Sequence, residues 1–326
     1  MGEIAMMRFW KSFLTLVLVL GMAGIASADE KKITIGISQI VEHPALDAAR
    51  KGFIDALKDN GYVEGQNVTY DIQIAQGNMA TANSIAKSFV GNNVDLIYTI
   101  ATPTSQACVN ATKTIPIVIS SVTDPVGAGL VKSLEEPGAN VTGTTDRSPV
   151  DRQMDLIIEI APKVKRLGVI YNSGEDNSLT SLKQIKEEVA KRNMEVVEAP
   201  VSNSSGVFLA AKSLVGRVDA VHIPTDNTVV SAFDAVVKVC TDNRIPLFAA
   251  DIDSVPRGAV AAVAIDYYRL GRQSGEMAVR ILKGENPGTM PVETLKDLKL
   301  VVNKQAAEKM GVTLPESVLK RADQVL

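Results

Sequence analysis

Asp95-Leu-Ile-Tyr-Thr-Ile100, then a helical stretch, then Pro116-Ile-Val-Ile-Ser120: this succession decides the fold class. Both runs are apolar without alternation, the pattern of strands covered on two faces. Two such strands around a helix predict a parallel βαβ unit, since a parallel partner needs a crossover and the crossover covers the sheet. Upstream, Ile33-Thr-Ile-Gly-Ile37 opens the same rhythm. A helix from Pro44 follows, carrying Leu46, Ala49, Phe53 and Leu57 at helical spacing as far as Asn60-Gly61. Val68, Tyr70, Ile72 and Ile74 alternate with polar residues and predict an edge strand, and helices are expected over about 80–90 and 104–111.

The rhythm restarts after Pro162. Strands are expected at Arg166 to Tyr171, Glu195 to Ala199, Asp219 to Ile223 and Pro246 to Ala250, with helices over 178–191, 207–214 and 229–243 between them. Two successive runs predict an α/β protein with two doubly wound parallel-sheet lobes. The amphipathic stretch Tyr267 to Lys283 and the strand Leu298 to Val302 finish sheets already built. No Ser/Gly-rich linker separates the halves, so three ordered crossings are expected, near Thr142 to Arg147, Ala262 to Asp266 and Pro291 to Leu295. Residues 29–146 with 267–290 form the predicted first lobe, and 147–266 with 291–326 the second.

Arg8 and Lys11 precede an apolar run from Phe13 to Ile25 that ends at Ala26-Ser27-Ala28, the signature of a cleaved secretory signal over 1–28. The run is short of the roughly twenty residues that span a bilayer. No cysteine lies near the cleavage site to carry a lipid, so a free periplasmic protein is expected. What remains is about 300 residues, a length suited to two domains. Nothing in the net charge of −3 suggests nucleic acid or an anionic membrane as a partner. Cys108 and Cys240 fall in different predicted lobes and are expected to be unpaired, buried hydrophobes.

In open parallel sheets ligands bind beyond the carboxyl ends of the strands, where loops lead into helix N-termini. The first-lobe loops offer Gln39, Thr102, Ser120, Ser121, Thr123 and Asp124. Those of the second lobe offer Asn172, Asp226, Asn227 and Asp251, with Glu175 and Asp253 adding acid. Hydroxyls and free N–H groups suit a carboxylate, and acids facing them suit an ammonium, so the pattern fits a zwitterion such as an amino acid. The same residue types after a strand are ordinary helix caps, so only their convergence carries weight. Catalytic constellations are scarce: His43 precedes a helix, His222 sits in a strand, and neither has metal-ligand spacing. Ser38-Gln-Ile-Val-Glu42 stands where a dinucleotide-binding glycine motif would be. No cofactor, metal or enzymatic activity is expected.

Ile37-Ser-Gln-Ile-Val-Glu-His-Pro-Ala-Leu-Asp47, Ile119-Ser-Ser-Val-Thr-Asp-Pro125 and Ala264-Ile-Asp-Tyr-Tyr-Arg-Leu-Gly271 resemble one family, as do Gly284-Glu-Asn-Pro-Gly288 and Met290-Pro-Val292. It is the ABC-transporter substrate-binding proteins whose characterised members take aromatic amino acids such as tryptophan. The resemblance covers essentially all of the chain after residue 28. It implies the type I periplasmic-binding-protein fold, a Venus-flytrap of two lobes, and a monomer that hands a small-molecule ligand to an ABC permease in the inner membrane. A ligand sensor addressing a receptor is the alternative output. Tyr98, Tyr171, Phe248 and Tyr267 are the aromatics nearest the cleft loops in sequence, available for stacking.

Overall fold

Ile35 and Ile37 of strand β1 (Ile33–Gln39) are wholly buried, as are the apolar side chains of β3 (Leu96–Ile100) and β4 (Ile117–Val122), so the opening strand and the two continuous apolar runs lie inside one sheet. The computed structural model describes residues 32–326, of which Ile33–Leu326 form one compact unit. The expected leader over 1–28 lies outside the described residues.

The first lobe runs β1, α1 (Pro44–Asp59), β2 (Val68–Ile74), α2 (Met79–Gly91), β3, α3 (Thr102–Ala111), β4 and β5 (Val141–Thr145). The second contains α4 (Val150–Ile160), β6 (Arg166–Asn172), α5 (Asp176–Lys191), β7 (Glu195–Val201), α6 (Val207–Ser213), β8 (Ala220–Ile223), α7 (Asn227–Ser231), α8 (Phe233–Asp242), β9 (Leu247–Ala249) and β10 (Ala261–Ala264). The chain then returns to the first lobe with α9 (Tyr267–Leu282) and β11 (Glu293–Thr294). It ends in the second with β12 (Lys299–Val302), α10 (Lys304–Lys309), α11 (Glu316–Arg321) and β13 (Gln324–Val325). The first sheet has the order β11-β5-β4-β3-β1-β2 and the second β13-β12-β10-β9-β8-β6-β7. Pairing is parallel except between β10 and β12. Each sheet has its own hydrophobic core. Cys108 and Cys240 are buried and free, one in each core.

Several elements differ from the sequence reading. Thr142 to Arg147, expected to be a crossing, is largely strand β5, and the first crossing follows at 146–149. Its threonines look solvent-facing in sequence but are bonded inside: Thr142 Oγ1 donates to Met290 O (2.7 Å), Thr144 Oγ1 shares a hydrogen bond with Ser274 Oγ (2.9 Å), and Thr145 Oγ1 donates to Thr123 O (3.3 Å). Gly143 makes this strand possible. At φ +142° it passes β4 so closely that a Cβ would sit 2.0 Å from Ile119 O. Helix α4 fills a stretch left unassigned in sequence. The helix expected over 229–243 is two helices that meet at Ala232. The third crossing lies at 295–298 rather than near Pro291, because Glu293 and Thr294 still pair with Thr144 and Thr145 of the first sheet.

Candidate functional site

Loops at the carboxyl ends of strands from both sheets meet around a tight cavity. His43 follows β1, Ser121 and Thr123 come from the end of β4, and Asp146 follows β5. Opposite them, Asn177 opens α5, Thr225, Asp226 and Asn227 follow β8, and Asp251 follows β9. Tyr267 begins α9, while Ala45, Leu46 and Val230 supply apolar surface. An enclosed site that is part apolar and carries a few convergent polar groups is the usual form of a small-molecule site.

Of the residues proposed from sequence, Ser121, Thr123, Asp226, Asn227 and Asp251 line this cavity, and five others do not. Gln39 is occupied in its own lobe: Nε2 donates to Val41 O and Asp47 Oδ1 (both 2.8 Å), and Oε1 accepts from Arg50 (2.7 Å). Ser120 Oγ accepts from Thr144 in the first core (3.3 Å). Asp124 Oδ1 accepts from Gly127 N (2.9 Å) and holds a turn. Thr102 is buried at the start of α3, outside the cavity lining. Asn172 stands behind the wall, where its backbone N–H donates to Asp226 Oδ2 (2.5 Å). Among the proposed aromatics only Tyr267 reaches the cavity. Tyr98 stacks on Phe53 with centroids 3.7 Å apart, Phe248 lies in the second core, and Tyr171 donates to Glu198 (2.8 Å). The sequence reading missed His43, Asp146, Asn177 and Thr225 as cavity residues. Their common signal is a position within a few residues after a strand, which His43 and Asp146 share with Asp251.

Three carboxylates line the site and each is buried. Asp146 accepts from Tyr267 Oη (2.7 Å) and Thr123 Oγ1 (3.2 Å). Asp226 accepts from Asn172 N, Ser178 Oγ (2.6 Å) and Val229 N (2.7 Å). Asp251 accepts from Ser254 N (2.8 Å) and Ser254 Oγ (2.7 Å). Burial pushes all three pKa values up, aided at Asp226 by the charge of Glu175. Burial, with Arg257 nearby, pushes His43 down to about 3, so at neutral pH it is an uncharged imidazole. Three lining atoms, His43 Nδ1, Ser121 Oγ and Asn177 Oδ1, are buried with no hydrogen-bond partner. Ser121 also has φ +56°, a conformation that costs a non-glycine residue energy and is concentrated at functional sites. Among the described residues no group of three or more His, Cys, Asp and Glu side chains is placed to hold a metal.

The sequence profile of ABC transporter substrate binding proteins matches residues 34–326. The chain belongs to that family. This substrate binding protein is 48% identical over 283 residues to a tyrosine-binding protein of Clostridioides difficile, covering 87% of this chain and 82% of the relative. A Streptococcus pneumonia relative solved in complex with L-Trp is 38% identical, with TM-score 0.88 over 91% of this chain and 100% of that one. A ligand-free, open structure of a substrate binding protein with adhesive properties from Clostridium difficile is 45% identical but gives a TM-score of only 0.67, over 90% of this chain and 99% of that one. Structures of more distant solute-binding proteins share the two-lobed type I fold. Families of this kind bind solutes and are not enzymes.

The more identical relative, the ligand-free and open one, is the less similar in shape, and this substrate binding protein matches the tryptophan complex more closely. Two hydrogen-bond contacts join the lobes: Gln106 Nε2 donates to Asp176 Oδ2 (2.7 Å), and Thr123 Oγ1 lies 3.3 Å from Thr225 Oγ1. Opening about the crossings would break both. Small-angle scattering on protein stripped of ligand by unfolding and refolding is therefore expected to give a larger radius of gyration than the same sample with ligand restored. Equal radii would count against hinge closure.

Proposed function

We propose that this substrate binding protein works in a periplasm, reached through a cleaved signal over 1–28, and delivers an amino acid, most favourably an aromatic one, to an ABC permease for uptake. The observation that carries the reading is the cavity itself, where three buried polar atoms await partners beside three buried carboxylates. Unpaired buried polar groups are costly, and a ligand that supplies donors and acceptors at those positions removes the cost. Tyr267 gives an aromatic ring a surface to pack on, and Leu46 and Val230 extend it. The relatives named for tyrosine and solved with L-Trp support the aromatic preference.

A thermal-shift screen of the chain lacking 1–28 against the common amino acids tests it. A ligand at a hundred times its dissociation constant adds about 2.7 kcal/mol of stability, and tyrosine, tryptophan or phenylalanine is expected to give the largest rise in melting temperature. A flat response across the panel would remove amino acids as the ligand class. N-terminal sequencing of the secreted protein, expected to begin near Asp29, checks the compartment.

A further inference from the structure

Glu175 does not line the cavity, yet it controls what the cavity wall presents. It is 8% exposed and stands behind the second-lobe side. Its Oε1 accepts from Thr228 Oγ1 (2.8 Å) and Asn172 Nδ2 (3.2 Å), and its Oε2 accepts from Asn227 Nδ2 (2.5 Å) and Asn177 Nδ2 (3.2 Å). A carboxylate only accepts, so each amide around it must turn its NH2 group toward it, and this settles which way Asn177 and Asn227 face. Asn177 Nδ2 also donates to Thr225 O (2.9 Å), which leaves Oδ1 as its free polar atom. Asn177 is thus left with an acceptor to offer.

The other lining groups point the same way. Asp146, Asp226 and Asp251 are acceptors, and no lysine or arginine lines the cavity. The Thr123 hydroxyl is directed at Asp146 Oδ1, so it is a poorer carboxylate donor than its sequence position implied. Among lining side chains, the free hydroxyl of Ser121 and the neutral imidazole of His43 are left as donors to a ligand anion. Three carboxyl groups and the Asn177 amide oxygen line the site against those two donors.

We propose that the site recognises the ammonium end of its ligand far more strongly than the carboxylate end, that arylalkylamines lacking a carboxylate are ligands of the same site, and that Glu175 is the positioning residue responsible. This rests on the amino-acid reading above for the site and deepens it. An ammonium brings three N–H donors and a positive charge to a wall of acceptors. A carboxylate brings a second acceptor to the same wall.

Calorimetry with L-tyrosine, tyramine and 3-(4-hydroxyphenyl)propionate on the wild-type protein and Glu175→Gln is the test. In the wild type, tyramine is expected to bind within about tenfold of tyrosine, and the deaminated acid at least about a hundredfold more weakly. In Glu175→Gln one buried amide must rotate to meet the new NH2 group, so the ratio of amine to acid affinity is expected to fall at least about tenfold. A purely structural role would lower stability without moving that ratio. Should Glu175→Gln fail to fold, Asn177→Leu removes the oriented acceptor and is expected to weaken tyramine while leaving the acid unchanged. The proposal is overturned if the acid binds the wild type within tenfold of tyrosine, if tyramine binds more weakly than the acid, or if the variants leave the ratio unmoved. Absence of binding by any amino acid would overturn the amino-acid reading and this proposal with it, whereas amino-acid binding with the acid as strong as tyrosine overturns this proposal alone.

Discussion

Asp251→Asn is expected to weaken amino-acid binding at least about thirtyfold while leaving the protein folded. The side chain caps the 3-10 turn Ile252–Ser254, accepting from Ser254 N on one oxygen and Ser254 Oγ on the other. Asparagine keeps the first bond through Oδ1, and its NH2 group can donate to the Ser254 hydroxyl, so the cap survives and the charge does not. That charge is buried at the cavity wall, where burial raises the pKa, and in the amino-acid reading proposed above a ligand ammonium would be the partner that relieves it. Losing one member of a buried, hydrogen-bonded charge pair costs about 2 to 5 kcal/mol, and each 1.4 kcal/mol is about tenfold in affinity. If Asp251 serves only as a cap, the change costs about 1 kcal/mol of stability or less and the affinity stays within about threefold. Calorimetry on variant protein with an unchanged circular dichroism spectrum separates the two outcomes.

The two-lobed architecture was legible because β3 and β4 carry continuous apolar runs that read as strands covered on both faces, and because the strand–helix rhythm that contains them restarts at β6. Strand β5 was not legible. Val-Thr-Gly-Thr-Thr has the composition of a loop, and its hydroxyls are satisfied by Met290, Ser274 and Thr123, partners far away in sequence or across the sheet. The site was half legible for a related reason. Sequence places a residue on the right loop, and five of ten candidates reached the cavity. It does not say which side chains their neighbours have already claimed. Gln39 is spent on Arg50 and Asp47, and Asp124 on its own turn, whereas Ser121, at positive φ, keeps a free hydroxyl at the cavity. His43 was read as a residue before a helix, and it does stand at that N-terminus. It makes no side-chain cap there, which is what leaves its Nδ1 for a ligand.

Gly271→Ala is expected to destabilise the protein by more than about 3 kcal/mol and to lower its melting temperature by about 5 °C or more, the reverse of what alanine does in an ordinary helix. Inside a helix, glycine to alanine normally stabilises by about 0.5–1 kcal/mol, because glycine loses more backbone freedom on folding. Gly271 sits in the middle of α9, where that helix lies against α1, and a Cβ there would stand 1.9 Å from Ala49 O. The obstacle is backbone, so no rotamer change relieves it and the two helices must separate. Gly52 on α1 meets Tyr268 O of α9 just as closely, at 2.1 Å, so the seam is tight from both sides. Gly91, the last residue of α2, is exposed and a Cβ there meets nothing within 4 Å, so Gly91→Ala is the control and is expected to hold or raise stability. Calorimetric scans of the two variants beside the parent measure both signs, and equal melting temperatures would mean that α1 and α9 are free to move apart. A functional consequence follows from where the helices begin. Pro44 starts α1 beside His43, and Tyr267 starts α9 with its hydroxyl on Asp146, so the seam that Gly271 closes also sets the spacing of three cavity residues. Ligand affinity is therefore expected to fall with stability in Gly271→Ala and to remain at the parent value in Gly91→Ala.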